Sequence, residues 1–141
     1  MYKYGARSRG NLEQVHPDLI LVFAVALTQS TVDFGITEGA RTLTRQKQLL
    51  REGSTWTLNS RHIPKIPRDK RYSTAMAHAI DVVAMPGGVV SWAWPHYDEI
   101  YDAVVAASEE VGVPIEWGGL WKPRNRDGPH YQLSWKTHPV R

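Results

Sequence analysis

The stretch Asp127-Gly128-Pro129-His130-Tyr131-Gln132-Leu133-Ser134-Trp135 alternates from His130 onward. Tyr131, Leu133 and Trp135 fall on one face of an extended chain, and His130, Gln132 and Ser134 fall on the other. That period is the mark of a half-buried strand with an apolar face for a core and a polar face for a cleft floor. A second extended segment, His78 to Met85, is apolar on both sides after His78, apart from Asp81. It reads as a largely buried strand, in which a carboxylate without a partner would be strongly unfavourable. A metal ion and a cationic side chain such as Arg41 both answer that need.

Helical periods surround these strands. Leu12, Val15, Leu19, Phe23 and Ala26 recur at three- and four-residue steps toward a stop near Ser30, with Pro17 suited to a helix start. Thr42 can cap a second helix, Leu43 to Glu52, which stops at Gly53. Pro95 opens a third, in which Tyr97, Ile100, Val104, Ala107 and Val111 keep a stripe until Gly112 and Pro114 end it. Val32 to Thr37 and Ile115 to Gly118 read as further strands, and Val89 to Trp92, after the turn Pro86-Gly87-Gly88, as a hairpin partner of the Asp81 strand. Met1 to Gly10 reads as a basic arm and Leu120 to Gly128 as a polar loop. Pro64 and Pro67 forbid a continuous helix between Ser54 and Ala77, and Arg61, Lys65, Arg68, Lys70 and Arg71 stand there against Asp69 alone, so an exposed basic loop is expected. The order of elements predicts an α+β fold, helices packed against a small antiparallel sheet, in one domain over residues 1–141.

Composition narrows the function classes. The chain has 141 residues, 42% of them hydrophobic, which suffices for one core. With no cysteine, disulfides are excluded and any bound metal must be held by His and carboxylate. A net charge of +3 suits an anionic partner: a nucleic acid, an anionic membrane or an anionic cell wall. No apolar run is long enough to span a membrane, and the start of the chain lacks the apolar stretch of a signal peptide. Synthesis in the cytoplasm is the expectation. His62, alone in its loop, carries little information by itself.

In order along the chain, Tyr4-Gly5-x-Arg7-Ser8, Val15-His16-Pro17-Asp18-Leu19, Thr37-Glu38-Gly39-x-Arg41-Thr42, Ser60-Arg61-His62, Ala77-His78-Ala79-Ile80-Asp81, Trp117-Gly118-Gly119 and Asp127-Gly128-Pro129-His130 resemble the motifs of the M15 zinc metallopeptidases. The likeness is greatest to the phage L-alanyl-D-glutamate endopeptidase endolysins, which are similar to D-alanyl-D-alanine carboxypeptidases of the VanY type. The resemblance implies a fold like that of the Hedgehog and D,D-peptidase domains, and a Zn²⁺ held by His62, Asp81 and His130. It implies Asp127 as general base and Arg41 as the group that holds substrate or stabilises the oxyanion. It further implies the peptidoglycan stem peptide as substrate, action at the cell wall by a monomer, and, in a phage-encoded chain, release from the cytoplasm through a holin; nucleic acid and stable membrane insertion are not implied. The helical His-Glu-x-x-His signature of other zinc proteases is absent.

The chain departs from the family pattern in places. Eighteen residues lie between His62 and Asp81, a much longer gap than usual, as though the basic Pro-containing segment 63–76 had been inserted there. Ala77 replaces a glycine, and Leu120 stands where relatives often carry Asp. His78, three residues before Asp81, is therefore an alternative first ligand, although in a strand the two point to opposite faces. Trp92, Trp94, Trp117, Trp121 and Trp135 can line a cleft or pack into core and rim. Two other functions share much of this pattern: a D-alanyl-D-alanine carboxypeptidase or dipeptidase, and a non-catalytic basic module that binds wall or nucleic acid.

Overall fold

A bulge on the first strand sets the pattern of the polar face. In the computed structural model, which describes residues 1–141, β1 (Phe34–Glu38) pairs antiparallel with β2 (Ala79–Ala84), with Ile36 opposite Val82 but Glu38 opposite Asp81. Thr37 is the extra residue, and its insertion turns the Glu38 carboxylate toward Asp81. β2 pairs in turn with β4 (His130–Leu133), with Asp81 opposite His130, and β4 pairs with β3 (Ile115–Trp117), with Glu116 opposite Gln132. The sheet order is β1-β2-β4-β3, antiparallel throughout. Glu38, Asp81 and His130 thus form a row across three strands, with Gln132 and Glu116 beside them.

The opposite face is the core. Ile36, Ile80, Val82, Tyr131, Leu133 and Trp117 pack with the apolar sides of α2 (Pro17–Gln29) and α4 (Trp94–Val111) in one cluster of 22 buried residues. α2 starts at the expected Pro17, and α4 starts at Trp94, one residue ahead of the expected Pro95. His16 caps α2 by accepting the Asp18 N–H at Nδ1 (3.0 Å), and Gly112, at φ +73°, ends α4 in the left-handed conformation that glycine tolerates. α3 (Leu43–Arg51) starts at its Thr42 cap, whose hydroxyl accepts the Arg45 N–H. These elements give the α+β fold, with α2 and α4 on the apolar side of an antiparallel sheet and α3 beside its polar face, where Leu49 lines the cleft and Gln46 meets Arg41. No helix is long and apolar enough to cross a membrane.

Four local expectations need correction. Residues 6–11 of the supposed arm form a short helix, α1 (Ala6–Asn11), which covers the free edge of β1: the Ser8 hydroxyl accepts the Ile36 N–H (3.0 Å) and the Asn11 amide donates to the Ile36 carbonyl (2.7 Å). Val89 to Trp92 is not a strand. Two glycines in succession at positive φ, Gly87 and Gly88, carry the chain away after a 3₁₀ turn, leaving a single bridge between Ala84 and Ser91. The segment 54–77 is only partly exposed. Arg61, His62, Met76 and Ala77 are buried, and bridges Lys65–Met76 and Pro67–Val140 fasten the segment to itself and to the C-terminal tail. The last strand stops at Leu133, and Trp135 lies in the following turn, where its ring stacks under the Arg61 guanidinium at 4.0 Å.

Candidate active site

The polar face of the sheet is the floor of an open cleft of about 1040 Å³, walled by the loop around Trp56 and by the segment carrying Trp121, Arg124 and Arg126. His62 reaches this floor from outside the sheet. The Ser60 hydroxyl accepts the His62 N–H (3.1 Å), which closes the turn and explains why serine precedes the histidine by two. The Arg41 N–H donates to the His62 carbonyl (2.8 Å), fixing the loop against the end of β1.

His62, Asp81 and His130 converge there. Nε2 of His62 and Nδ1 of His130 each lie 3.2 Å from the same oxygen, Oδ1 of Asp81, and the three donor atoms lie within 4.8 Å of one another. The far nitrogen of each ring is already committed: His62 Nδ1–H donates to the Gly39 carbonyl (2.9 Å) and His130 Nε2–H donates to Gln132 Oε1 (2.8 Å). In their neutral forms both rings then turn a lone pair toward a carboxylate oxygen, an arrangement that calls for a cation between them. The 3.2 Å separations are longer than an ordinary charge-assisted hydrogen bond and close to the ~3.3 Å edge of a tetrahedron with zinc-ligand arms of about 2.0–2.1 Å. The donor set therefore fits Zn²⁺. Burial raises the Asp81 pKa, but the nearby His62 charge and the hydrogen bonds from both histidines outweigh it and hold the carboxyl well below the usual range. Burial likewise opposes charge on His130, yet the Asp81 hydrogen bond and charge leave its pKa raised.

The 18-residue gap is accommodated because the intervening segment folds back on itself: the Lys65–Met76 bridge and the bond from His78 N–H to the Arg61 carbonyl (2.8 Å) return the chain to His62 before it enters β2. His78 lies elsewhere. Its Nδ1 donates to the Met76 carbonyl (2.9 Å), and its ring packs 5.2 Å from that of His16, on the side where His138 Nε2 meets Asp18 Oδ2 (2.8 Å). It is not among the groups facing Asp81.

Asp127 and Arg41 complete the floor. The Asp127 N–H donates to the Gly118 carbonyl (3.0 Å) and its own carbonyl accepts from His130 N–H (3.2 Å), a turn that brings the two side chains into one cleft. Gly118 has no room for a side chain, since a Cβ there would run into the Asp127 carbonyl and meet His130 Cβ at 3.2 Å. Burial first, and then the charge of Asp81, raises the Asp127 pKa, with His130, His62 and Arg41 acting the other way. The Arg41 guanidinium is gripped by both oxygens of Glu38 (2.7 Å each) and by Gln46 Oε1 (2.7 Å), with Nη2 3.6 Å from Asp81 Oδ2. Gln46 and Glu116 were not singled out in the sequence, and Gln132 and Glu38 were given no role of their own; strand register across β3 and β4 is the signal that would have found Gln132 and Glu116, whereas the Thr37 bulge hides Glu38 from a strict period of two.

Of the tryptophans, Trp121 and Trp135 border the cleft, Trp117 is buried in the core, Trp94 lies behind the cleft wall under the Arg126 guanidinium at 4.7 Å, and Trp92 is exposed away from the cleft. Trp56, 64% exposed, is a cleft wall that the sequence did not single out.

Gly39 links fold and site, because its carbonyl orients His62. A Cβ at this position would collide with the Asn11 carbonyl and press on Val15 Cγ2 at 2.8 Å. Gly39→Ala is expected to lose about 1–3 kcal/mol through overpacking and to weaken metal binding as well. Thermal melts with and without chelator check this, the melting temperature falling in both and the metal-dependent increment shrinking.

A family model described as phage L-alanyl-D-glutamate peptidase matches residues 1–134. The L-alanyl-D-glutamate peptidase of Escherichia phage T5 is 27% identical over 143 residues, covering 94% of this chain and 98% of that protein. The crystal structure of the L-Ala D-Glu endopeptidase ChiX of Serratia marcescens superposes with a TM-score of 0.82 at 46% identity, covering 96% of this chain and 92% of that one.

Proposed function

The chain belongs to the phage L-alanyl-D-glutamate peptidase family, and from that premise we propose that it is a zinc endopeptidase of peptidoglycan, with His62, Asp81 and His130 as metal ligands and Asp127 as general base. The observation that carries this reading is the meeting of two histidine lone pairs on one oxygen of Asp81 at the bottom of an open cleft. Zn²⁺ bound there would acidify a water from a pKa of 15.7 toward ~7 and polarise the scissile carbonyl.

The chain's own groups do the rest. Asp127 takes the proton of the attacking water and delivers it to the leaving amine of D-glutamate as the amide breaks. A carboxylate held in the cleft beside His130 can do both, because the group that accepts the proton is the one that returns it. Arg41, fixed by Glu38 and Gln46, steadies Asp81 and supplies positive charge near the developing oxyanion. Arg124 and Arg126 along the wall offer cations to the carboxylates of the stem peptide. In this reading residues 1–141 are a single catalytic domain acting as a monomer at the wall, which it reaches in an infected host through a holin.

Purified sacculi digested with zinc-replete protein are expected to release peptides with a new N-terminal D-glutamate, identified by amine labelling and mass spectrometry, and to do so no longer after chelation. Release of free D-alanine alone would instead assign a carboxypeptidase. Intact sacculi would overturn the proposal.

A further inference from the structure

Behind His130 runs a chain of hydrogen bonds that the proposed reaction does not use. His130 Nε2 lies 2.8 Å from Gln132 Oε1, and Gln132 Nε2 lies 3.0 Å from Glu116 Oε2. The strand register builds it: Glu116 is opposite Gln132 across β3 and β4, and Gln132 is two residues from His130 on the same face of β4. His130 and Gln132 are each 7% exposed.

The direction of this chain is not arbitrary. An ionised carboxylate only accepts, so Glu116 must face the amide N–H of Gln132. Gln132 is then obliged to turn its oxygen to His130, and an oxygen requires a proton on Nε2. The neutral ring can carry only that proton, which leaves Nδ1 as a lone pair aimed at Asp81 Oδ1, 3.2 Å away. With Gln132 reversed, its amide would face His130 Nε2 and call for a lone pair there, presenting Nδ1–H to the ion.

We propose that Glu116 and Gln132 are positioning residues that fix His130 in the Nε2–H tautomer, so that Nδ1 is the nitrogen that binds the metal. This inference rests on the zinc reading of the site. His62 is served differently: its Nδ1–H donates to the Gly39 carbonyl, so the two rings bind through opposite nitrogens, each set by its own acceptor.

Zinc affinity measured by competition with a chromophoric chelator tests it, with His130→Ala as reference and thermal melts recorded alongside. Gln132→Leu, which removes the acceptor, is expected to weaken zinc binding about 10–100-fold. Glu116→Leu should weaken it in the same direction, having freed the amide to turn. The exchanged pair Q132E/E116Q restores a carbonyl-type oxygen to His130 and an N–H between the two side chains, and should recover most of the affinity, a rescue that loss of packing would not produce. Nitrogen NMR of the zinc-loaded wild type should show His130 protonated at Nε2 and metal-bound at Nδ1. The proposal falls if His130 shows the reverse tautomer, or if Gln132→Leu keeps affinity within about twofold of wild type while His130→Ala loses zinc. If His130→Ala itself leaves zinc binding unchanged, the metal reading of the site fails instead.

Discussion

Asp127→Asn is expected to leave one zinc per chain and to lower kcat/KM on stem peptides by about 10²–10⁴-fold, the usual worth of a general acid-base group. The substitution is nearly isosteric, and the backbone bonds that shape the turn, Asp127 N–H to Gly118 and His130 N–H to the Asp127 carbonyl, do not involve the side chain. What disappears is the ability to hold a proton between the attack on the carbonyl and the departure of the amine. Stability should move the other way. A carboxyl whose folded pKa is raised contributes stability that is present at low pH and lost as pH rises through that pKa, so at neutral pH the ionised Asp127 is a cost set by its burial and by Asp81. In chelator, the metal-free asparagine variant should therefore melt no lower than metal-free wild type at pH 7, while the zinc-loaded variant is far slower and the acid limb of the kcat/KM profile assigned to Asp127 should vanish. A variant with near wild-type turnover would remove Asp127 from the mechanism. One that had lost its zinc would make it a structural support of the site.

The pairing of slow and stable reflects how the fold divides its labour. The apolar face of the sheet, with Ile80, Val82, Tyr131 and Leu133 against α2 and α4, provides the cohesion. The polar face gathers like charges that folding alone would disperse: Glu38, Asp81, Asp127 and Glu116 lie around one cleft, balanced by Arg41 and by the two histidines. Such crowding is tolerable where a divalent ion completes the charge.

Much of this was legible in the sequence because period 2 is a local property. The alternation through His130–Leu133 located a strand and its polar face, and Asp81 among apolar neighbours declared a need for a partner. The α2 and α4 stripes were equally plain, and so were their prolines. The misreadings came where non-local forces decide. Whether Val89 and Val90 pair with β2 depends on the two positive-φ glycines before them, and the backbone there leaves after one bridge. Whether residues 6–11 coil or wind into a helix depends on the exposed edge of β1, which Ser8 and Asn11 satisfy. The basic segment 63–76 looked like a solvated excursion because its anchors, the carbonyls and N–H groups of the C-terminal tail, lie some seventy residues away in the chain. Gln132 and Glu116 carry no motif at all; they acquire meaning only once β3 and β4 are in register.

The first ligand offers the sharpest contrast between a local and a folded reading, and substitution at 62 and at 78 should separate the two. His62→Ala deletes the ring whose Nε2 faces Asp81 and leaves the Gly39 carbonyl without its donor. Since loss of an orienting partner alone costs about 10–100-fold in affinity, loss of the ligand itself should weaken zinc by more than about 100-fold and bring hydrolysis of sacculi to background. His78→Ala removes a ring that is 1% exposed, hydrogen-bonded to Met76 and packed on His16. Its consequence belongs to stability, a loss of about 0.5–3 kcal/mol by the range for buried substitutions, with zinc stoichiometry unchanged and residual activity following the folded fraction. Metal analysis after gel filtration, alongside melts of both variants, gives the decision. If His78→Ala emerges without zinc while His62→Ala retains it, the ligand set must be reassigned to His78, and the 18-residue separation between His62 and Asp81 loses its catalytic meaning.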